Sequence, residues 1–297
     1  MISGILFDKY GARIICICGT VFFVGGLMAT ANCTELYQFI LAFGICTSIG
    51  CAMLMPPLVN NIGHFFNKKR GMAMAISMPG ASLGGVIWPQ VCRKLYDQVG
   101  FPWTMRILGF SMGGLLVITC LLISDRHEEM SCDIDEDLSF WKKVSQFVDF
   151  SCVKDKTFMI LTAALFMNEF SLIMVGTYIP SYALSKGFSQ AMSLNALTIY
   201  NASGILGRMI PTYLADRYGH YRMITIQSAI MTGSIFVIWL PLGKFLPAFL
   251  IFTIVFGFAV AGTLAITPML TAAISKPKDF GRRYGTAYLF VSCCNLI

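Results

Sequence analysis

Gly4-Ile5-Leu6-Phe7-Asp8-Lys9-Tyr10-Gly11-Ala12-Arg13, and far downstream Tyr213-Leu214-Ala215-Asp216-Arg217-Tyr218-Gly219-His220-Tyr221-Arg222, are two versions of one pattern. Each sets an Asp, a Gly three residues on and an Arg soon after between two long apolar runs. The two acids stand roughly 200 residues apart, about one six-helix half of a membrane protein, so the repeat suggests two like halves. The chemistry suits a tight loop. Gly permits the turn, and Asp accepts hydrogen bonds from a neighbouring helix N-terminus.

The composition surrounding these loops is that of a membrane chain. Hydrophobic residues make up 56% and charged residues only 12%, where about 25% charged is usual for a soluble domain; the mean hydropathy is +0.70. Uncharged runs at residues 14–34, 36–63, 71–92, 107–124, 223–243 and 245–275 are long enough to span a bilayer, which takes about 20 helical residues. Residues 157–185 and 187–215 each hold one charge, Glu169 and Arg208. Gly, Pro and Ser inside these runs suit membrane bundles better than soluble cores. Both ends read as stubs of cut helices, with no basic segment and cleavage site after Met1.

Positive charge orients the chain. With the Asp8 loop placed in the cytoplasm, most of the 22 Lys and Arg fall on that side, among them Lys68-Lys69-Arg70, Lys142-Lys143 and Arg282-Arg283. The other side keeps Arg93, Lys94, Arg106, Lys186 and Lys244, in accord with the positive-inside rule. The net charge of +7 is thus a matter of topology and calls for no nucleic-acid partner. The 11 cysteines are scattered and show no zinc or disulfide spacing, so no metal or cofactor is expected. Asn32-Cys33-Thr34 is a glycosylation sequon, but its outer loop is too short and too close to the bilayer for use to be expected.

One long polar stretch, residues 125–156, divides the chain. It opens acidic and then turns amphipathic at Phe140-Trp141-Lys142-Lys143-Val144-Ser145-Gln146-Phe147-Val148, in the manner of an interfacial helix. The expected organisation is an N-terminal bundle at 1–124, a cytoplasmic central loop at 125–156 and a C-terminal bundle at 157–297. The two bundles would be related by an axis along the membrane normal.

Further stretches give the pattern a family. They are Phe65-Phe66-Asn67-Lys68-Lys69-Arg70-Gly71-Met72-Ala73-Met74-Ala75, Pro79-Gly80-Ala81-Ser82-Leu83-Gly84-Gly85 and Gly100-Phe101-Pro102-Trp103 with Arg106. Asn201-Ala202-Ser203 with Gly207-Arg208, and Phe280-Gly281-Arg282-Arg283-Tyr284-Gly285, complete the set. Together with the Asp loops they resemble the major facilitator superfamily, and within it the monocarboxylate-transporter-like branch, especially its fungal members. The resemblance runs along nearly the whole chain. It implies an all-α membrane protein with the major facilitator fold, two pseudo-symmetric bundles, and coverage from part of helix two to part of helix eleven of twelve. Two departures stand out. The second Asp loop has Thr212 where the leading Gly would be. Animal-type monocarboxylate carriers place an Asp four residues before the arginine of helix eight, and here that position is Gly204, which puts proton-coupled lactate transport in doubt.

Several residues emerge as functional candidates. Arg208 leads, since a mid-membrane guanidinium costs about 2.5–3.5 kcal/mol on insertion scales without a partner or watery cavity. It could clamp a carboxylate with two parallel bonds, or it could serve as a structural Arg; the resemblance places the family's substrate arginine here. Glu169 could exchange a proton, pair with Arg208, or pack in neutral form. Asn201 and Tyr178, with Asn168, Asn195, Tyr182 and Tyr200, could line a polar cavity or simply bond between helices. Gly80 and Gly84, beside Pro79 and Gly85, with Gly204 and Gly207 opposite, read as small-residue packing between helices five and eight. Gly4, Asp8, Gly11 and Arg13, and Asp216, Gly219 and Arg222, read as a conformational motif. In it the acids latch onto cations such as Lys68–Arg70 or Arg282–Arg283.

The leading functional expectation is a non-enzymatic secondary transporter working by alternating access. Its partners would be the lipid bilayer and a small organic anion or metabolite, with a coupled proton as an option. The plasma membrane is the first expectation, with a vacuolar or other organelle membrane open. Alternatives are a non-transporting sensor that keeps the carrier fold, or a carrier of another solute such as a vitamin. Intramembrane proteolysis needs paired acids or a His-Glu-x-x-His helix, and a channel needs a charged ring or a filter repeat; neither pattern is present.

Overall fold

The computed structural model describes residues 2–65, 70–123, 155–274 and 280–292, and every regular element among them is a helix. In chain order these are α1 (Ile2–Thr30), the short α2 (Leu36–Phe39) running through a π-helical stretch (Ile40–Thr47) into α3 (Ser48–Phe65), α4 (Arg70–Ser77) and α5 (Pro79–Leu122). They continue with α6 (Lys156–Ser185), α7 (Gln190–Tyr218), α8 (His220–Gly233), a second π-helical stretch (Ser234–Trp239), α9 (Leu240–Leu242), α10 (Leu246–Ala273) and α11 (Phe280–Ser292). The central loop up to residue 154, with Lys68 and Lys69, lies outside the described residues.

Among the described residues, six stretches are long and apolar enough to cross a membrane. One of them, Ala75–Leu122, is 48 residues long. At 1.5 Å per residue that is about 72 Å, more than twice the ~30 Å of hydrocarbon in a bilayer. It must therefore turn back, and it does so at Gly100, whose φ of 75° breaks the helix. The uncharged runs that begin at 71 and at 107 supply its two arms. α7 falls outside the six because Arg208, Asn201, Asp216 and Arg217 make it more polar than its neighbours. Its length of 29 residues still exceeds a bilayer crossing.

The same backbone device recurs at the repeated Asp loops. Gly11 interrupts α1 with φ 77° and ψ 169°, and Gly219 separates α7 from α8 with φ 96° and ψ 138°. Positive φ at these positions would strain any residue with a side chain. The first loop is therefore no extended connection, because helix runs up to Gly11 and resumes directly after it.

The chain divides into two compact units, Met1–Lys68 with Gln90–Phe147, and Lys69–Pro89 with Val148–Ile297. In the first, α1 lies against α3 where Gly19 and Gly50 remove side chains, and against the π-helical stretch at Gly26. A Cβ on Gly50 would meet the backbone of Phe23. With lipid on the outside there is no hydrophobic force between helices, so such close approach supplies the packing. At one end Arg106 donates from Nη2 to Asn32 Oδ1 at 2.7 Å, over the Trp103 ring.

In the second unit α10 is the central post. Phe249, Phe252, Phe256, Ala259 and Ala265 are fully buried, and α7 packs along α10 more extensively than any other pair of elements. Rings run down this core from Tyr182 through Phe249 and from Trp239 through Phe252 and Phe256 to Tyr200, with centroids 5.0–6.3 Å apart. Asp155 caps α6 by accepting from Thr157 N at 3.1 Å and faces Arg283 of α11 at 3.8 Å. Arg283 also donates to Ile274 O. The partner of this arginine is thus Asp155 rather than Asp216.

Candidate functional site

The polar side chains inside the second unit gather on α5, α6, α7 and α11. Arg208 sits ten residues before the C-terminal end of α7, about 15 Å along the axis and so about half a bilayer deep. It is half-buried. Its Nε donates to Ser82 Oγ on α5 at 3.0 Å. Tyr200, two turns earlier on α7, is within electrostatic reach of both Arg208 and Glu169. No acid stands within ion-pair distance of Arg208 among the described residues.

Glu169 is half-buried on α6, where its Oε1 accepts from Tyr288 Oη of α11 at 3.5 Å. Tyr284 lies one turn before Tyr288, with ring centroids 4.7 Å apart. On its other side Glu169 borders a crevice of about 10 Å3, room for one water. Asn168, Thr263 and Thr267 supply that crevice's other polar lining. Asn168 accepts from Ser228 of α8 at 3.2 Å, an interhelical bond of the kind expected of such a residue in lipid. Of the options open to Glu169, direct pairing with Arg208 is not the one seen.

α5 and α7 meet through a reciprocal fit. A Cβ on Gly85 would lie 2.7 Å from Asn201 Cγ, and a Cβ on Gly204 would lie 2.9 Å from Ser82 Oγ. Each glycine leaves room for the polar side chain opposite. Asn201 donates its amide to Leu197 O at 3.0 Å and turns its oxygen toward Gly85. Gly207, offset from Gly204 by about 60° around α7, lies against the backbone of Phe258 in α10. Gly80 meets nothing within 4 Å, and Gly84 meets only Trp88 of its own helix. Of the glycines expected between these two helices, Gly204 and Gly85 make the contact.

Tyr178 stands apart. It is 56% exposed, more than two turns from Glu169 on α6, while Tyr182 belongs to the aromatic core. In the repeated motif, Asp216 lies 3.8 Å from His220 across one turn, and Arg13 and Arg222 are exposed. Gly4 and Asp8 lie on the first part of α1. Sequence reasoning passed over Ser82, Tyr288 and Ser228. Ser82 stood in the Pro79–Gly85 stretch, and its spacing of three from Gly85 was the available signal. Tyr288 follows Tyr284 by one helical turn but carries no motif. The first unit offers a wider recess of about 320 Å3 between α1, α3 and α5, lined by Phe23, Leu27, Phe43 and Met112 with Thr47 and Ser48, and no charge enters it.

Comparison with known proteins agrees with this architecture. The sequence model of the Major Facilitator Superfamily matches residues 1–297. The riboflavin transporter MCH5 of Saccharomyces cerevisiae is 33% identical over 309 residues, covering 100% of this chain and 59% of that protein. MFS-type transporter 1 of an Ophiocordyceps species is 33% identical, covering 100% of this chain and 64% of its own length. The fujikurins efflux protein of Gibberella fujikuroi is 32% identical, covering 98% and 60%. The chain therefore spans about three fifths of the length of these relatives. Among solved structures, the E. coli fucose:proton symporter FucP aligns with a TM-score of 0.68 at 14% identity, over 98% of this chain and 76% of that one. The nucleoside transporter NupG aligns with a TM-score of 0.66 at 17% identity, over 99% and 76%. Those two likenesses concern the fold. With a helical chain of membrane-crossing length and a family match from end to end, this multi-pass membrane protein belongs to the Major Facilitator Superfamily.

Proposed function

We propose that the protein is a secondary carrier moving a small, monocarboxylate-like organic anion by alternating access, with Arg208 as the anchor for the carboxylate. One observation carries this reading. A half-buried guanidinium, about midway through a membrane-length helix, spends its Nε hydrogen on a neutral hydroxyl. Its charge meets no acid at ion-pair distance among the described residues. A cation so placed is costly unless a ligand or watery space receives it, and a carboxylate matches the planar fork of arginine with two parallel bonds.

Asn201 supplies an amide about two turns from Arg208 on the same face of α7, and Glu169, hydrogen-bonded to Tyr288, is the group that would exchange a coupled proton. Tyr178 would meet solute only at the margin. The Asp8 and Asp216 loops act as cytoplasmic latches, with Gly11 and Gly219 as their hinges. The plasma membrane is the proposed setting.

The names of the relatives favour a second reading. One is a riboflavin transporter and another an efflux protein, so a vitamin or a larger metabolite is the competing cargo. Uptake of labelled pyruvate and of labelled riboflavin, by yeast expressing the chain within its complete reading frame, decides between them. Saturable pyruvate uptake that is lost in Arg208→Ala supports the anion reading. Riboflavin uptake alone overturns it, and the absence of both in either direction favours a sensor.

A further inference from the structure

We infer that Ser82 is the positioning residue for Arg208, and that position 204 is glycine so that the Ser82 hydroxyl can enter. The inference rests on Arg208 being the anion anchor. Ser82 is 4% exposed, so its hydroxyl is held within the helix contact rather than free at a surface. Its Oγ is fixed from two sides, by Arg208 Nε at 3.0 Å and by the bare Cα of Gly204. A Cβ on residue 204 would stand 2.9 Å from that oxygen and 3.2 Å from the Ala261 Cβ of α10. The oxygen could not stay where it is.

The consequence lies in which hydrogens of Arg208 remain. Arginine has five N–H donors in one plane, and the single Nε hydrogen lies at the edge of that plane. Holding it on Ser82 sets the plane's orientation. The four outer hydrogens are left as a fork, which takes two coplanar oxygens at once. Ser82 accepts a hydrogen bond without cancelling charge, so the positive charge persists for a ligand. An acid at position 204, one helical turn before the arginine, would neutralise it. With glycine there, the solute's own carboxylate is the neutralising partner, and the site prefers an ionised carboxylate to a neutral isostere.

The test is a double-mutant cycle of Ser82→Ala, Gly204→Ala and the pair, in the complete reading frame. Two quantities are read: KM and maximal rate for labelled pyruvate, corrected for surface abundance, and the melting temperature of the purified protein in detergent. Ser82→Ala should raise the pyruvate KM about five- to tenfold, less than the roughly ten- to hundredfold worth of a hydrogen bond to a charged group because Ser82 acts on the solute only through Arg208, with abundance near normal. Gly204→Ala should raise KM similarly in the presence of Ser82 and add little once Ser82 is gone. An unchanged KM in Ser82→Ala, or KM effects that multiply independently, overturns the inference. If the unaltered protein takes up no pyruvate, the anion reading fails, and the positioning is decided by melting temperature alone. The loss caused by Gly204→Ala should then shrink by roughly half or more in the Ser82→Ala background, and an undiminished loss overturns the inference.

Discussion

Arg208→Lys keeps the charge and changes only its shape, which makes it the sharpest test of the anchor. Lysine carries a point ammonium on a flexible stem, with no Nε hydrogen to hold Ser82 and no planar fork. In the structure the guanidinium reaches Ser82 Oγ at 3.0 Å from Nε while its outer nitrogens remain for a ligand. Lysine cannot make both contacts together. The loss is one charge-assisted hydrogen bond to the solute, about 1.5–3 kcal/mol. At 1.4 kcal/mol per factor of ten this is roughly a ten- to hundredfold rise in the half-saturating concentration. The assay measures uptake kinetics together with surface abundance, so that folding and binding are separated. A merely structural arginine predicts the opposite pattern. Abundance would fall, and the protein that remained would transport with normal affinity. That result would refute the anchor and make Arg208 part of the scaffold.

Other outcomes follow from the packing. Gly207→Ala places a Cβ against the Phe258 backbone and should destabilise by about 1–3 kcal/mol, because neither helix can yield locally. Gly176→Ala, where nothing lies within 4 Å, should be neutral or gain up to about 1 kcal/mol of helix propensity; thermal unfolding in detergent compares the two, and equal effects would contradict the packing argument. Thr212→Val should stabilise by about 1 kcal/mol in the same assay, since the buried Thr212 Oγ1 finds no partner among the described residues. Asn32 should carry no glycan, because its side chain is engaged by Arg106 Nη2. Glycosidase treatment should leave its gel mobility unchanged, and a shift abolished by Asn32→Gln would show the sequon in use.

The fold was largely legible because lipid leaves a chain few options. Runs of about 20 uncharged residues can only be helices there. The turn at Gly100 and the breaks at Gly11 and Gly219 could be read from glycines where apolar runs meet polar residues. What the sequence left open was rotation about each helix axis. Gly204 and Gly207 look alike in a list, yet Gly204 meets Ser82 of α5 beside Ala261 of α10, while Gly207 lies against the backbone of Phe258 in α10. Mean hydropathy says nothing about that angle, because every face of a buried membrane helix is apolar.

The site was legible to the same extent and for the same reason. A charge in a membrane run announces itself, so Arg208 and Glu169 stood out at once. Their partners did not, since a serine or a tyrosine among apolar residues carries no such signal. Ser82 gains its meaning only from Gly204 across the helix contact, and Tyr288 from Glu169, 119 residues earlier in the chain. The two charges are also not each other's partners. Glu169 is held by α11 and Arg208 by α5, with Tyr200 within electrostatic reach of both. A direct ion pair would lock the two charges together and leave neither free for a solute or a proton. Holding each on a neutral hydroxyl leaves both groups available, as the proposed cycle of loading and release requires.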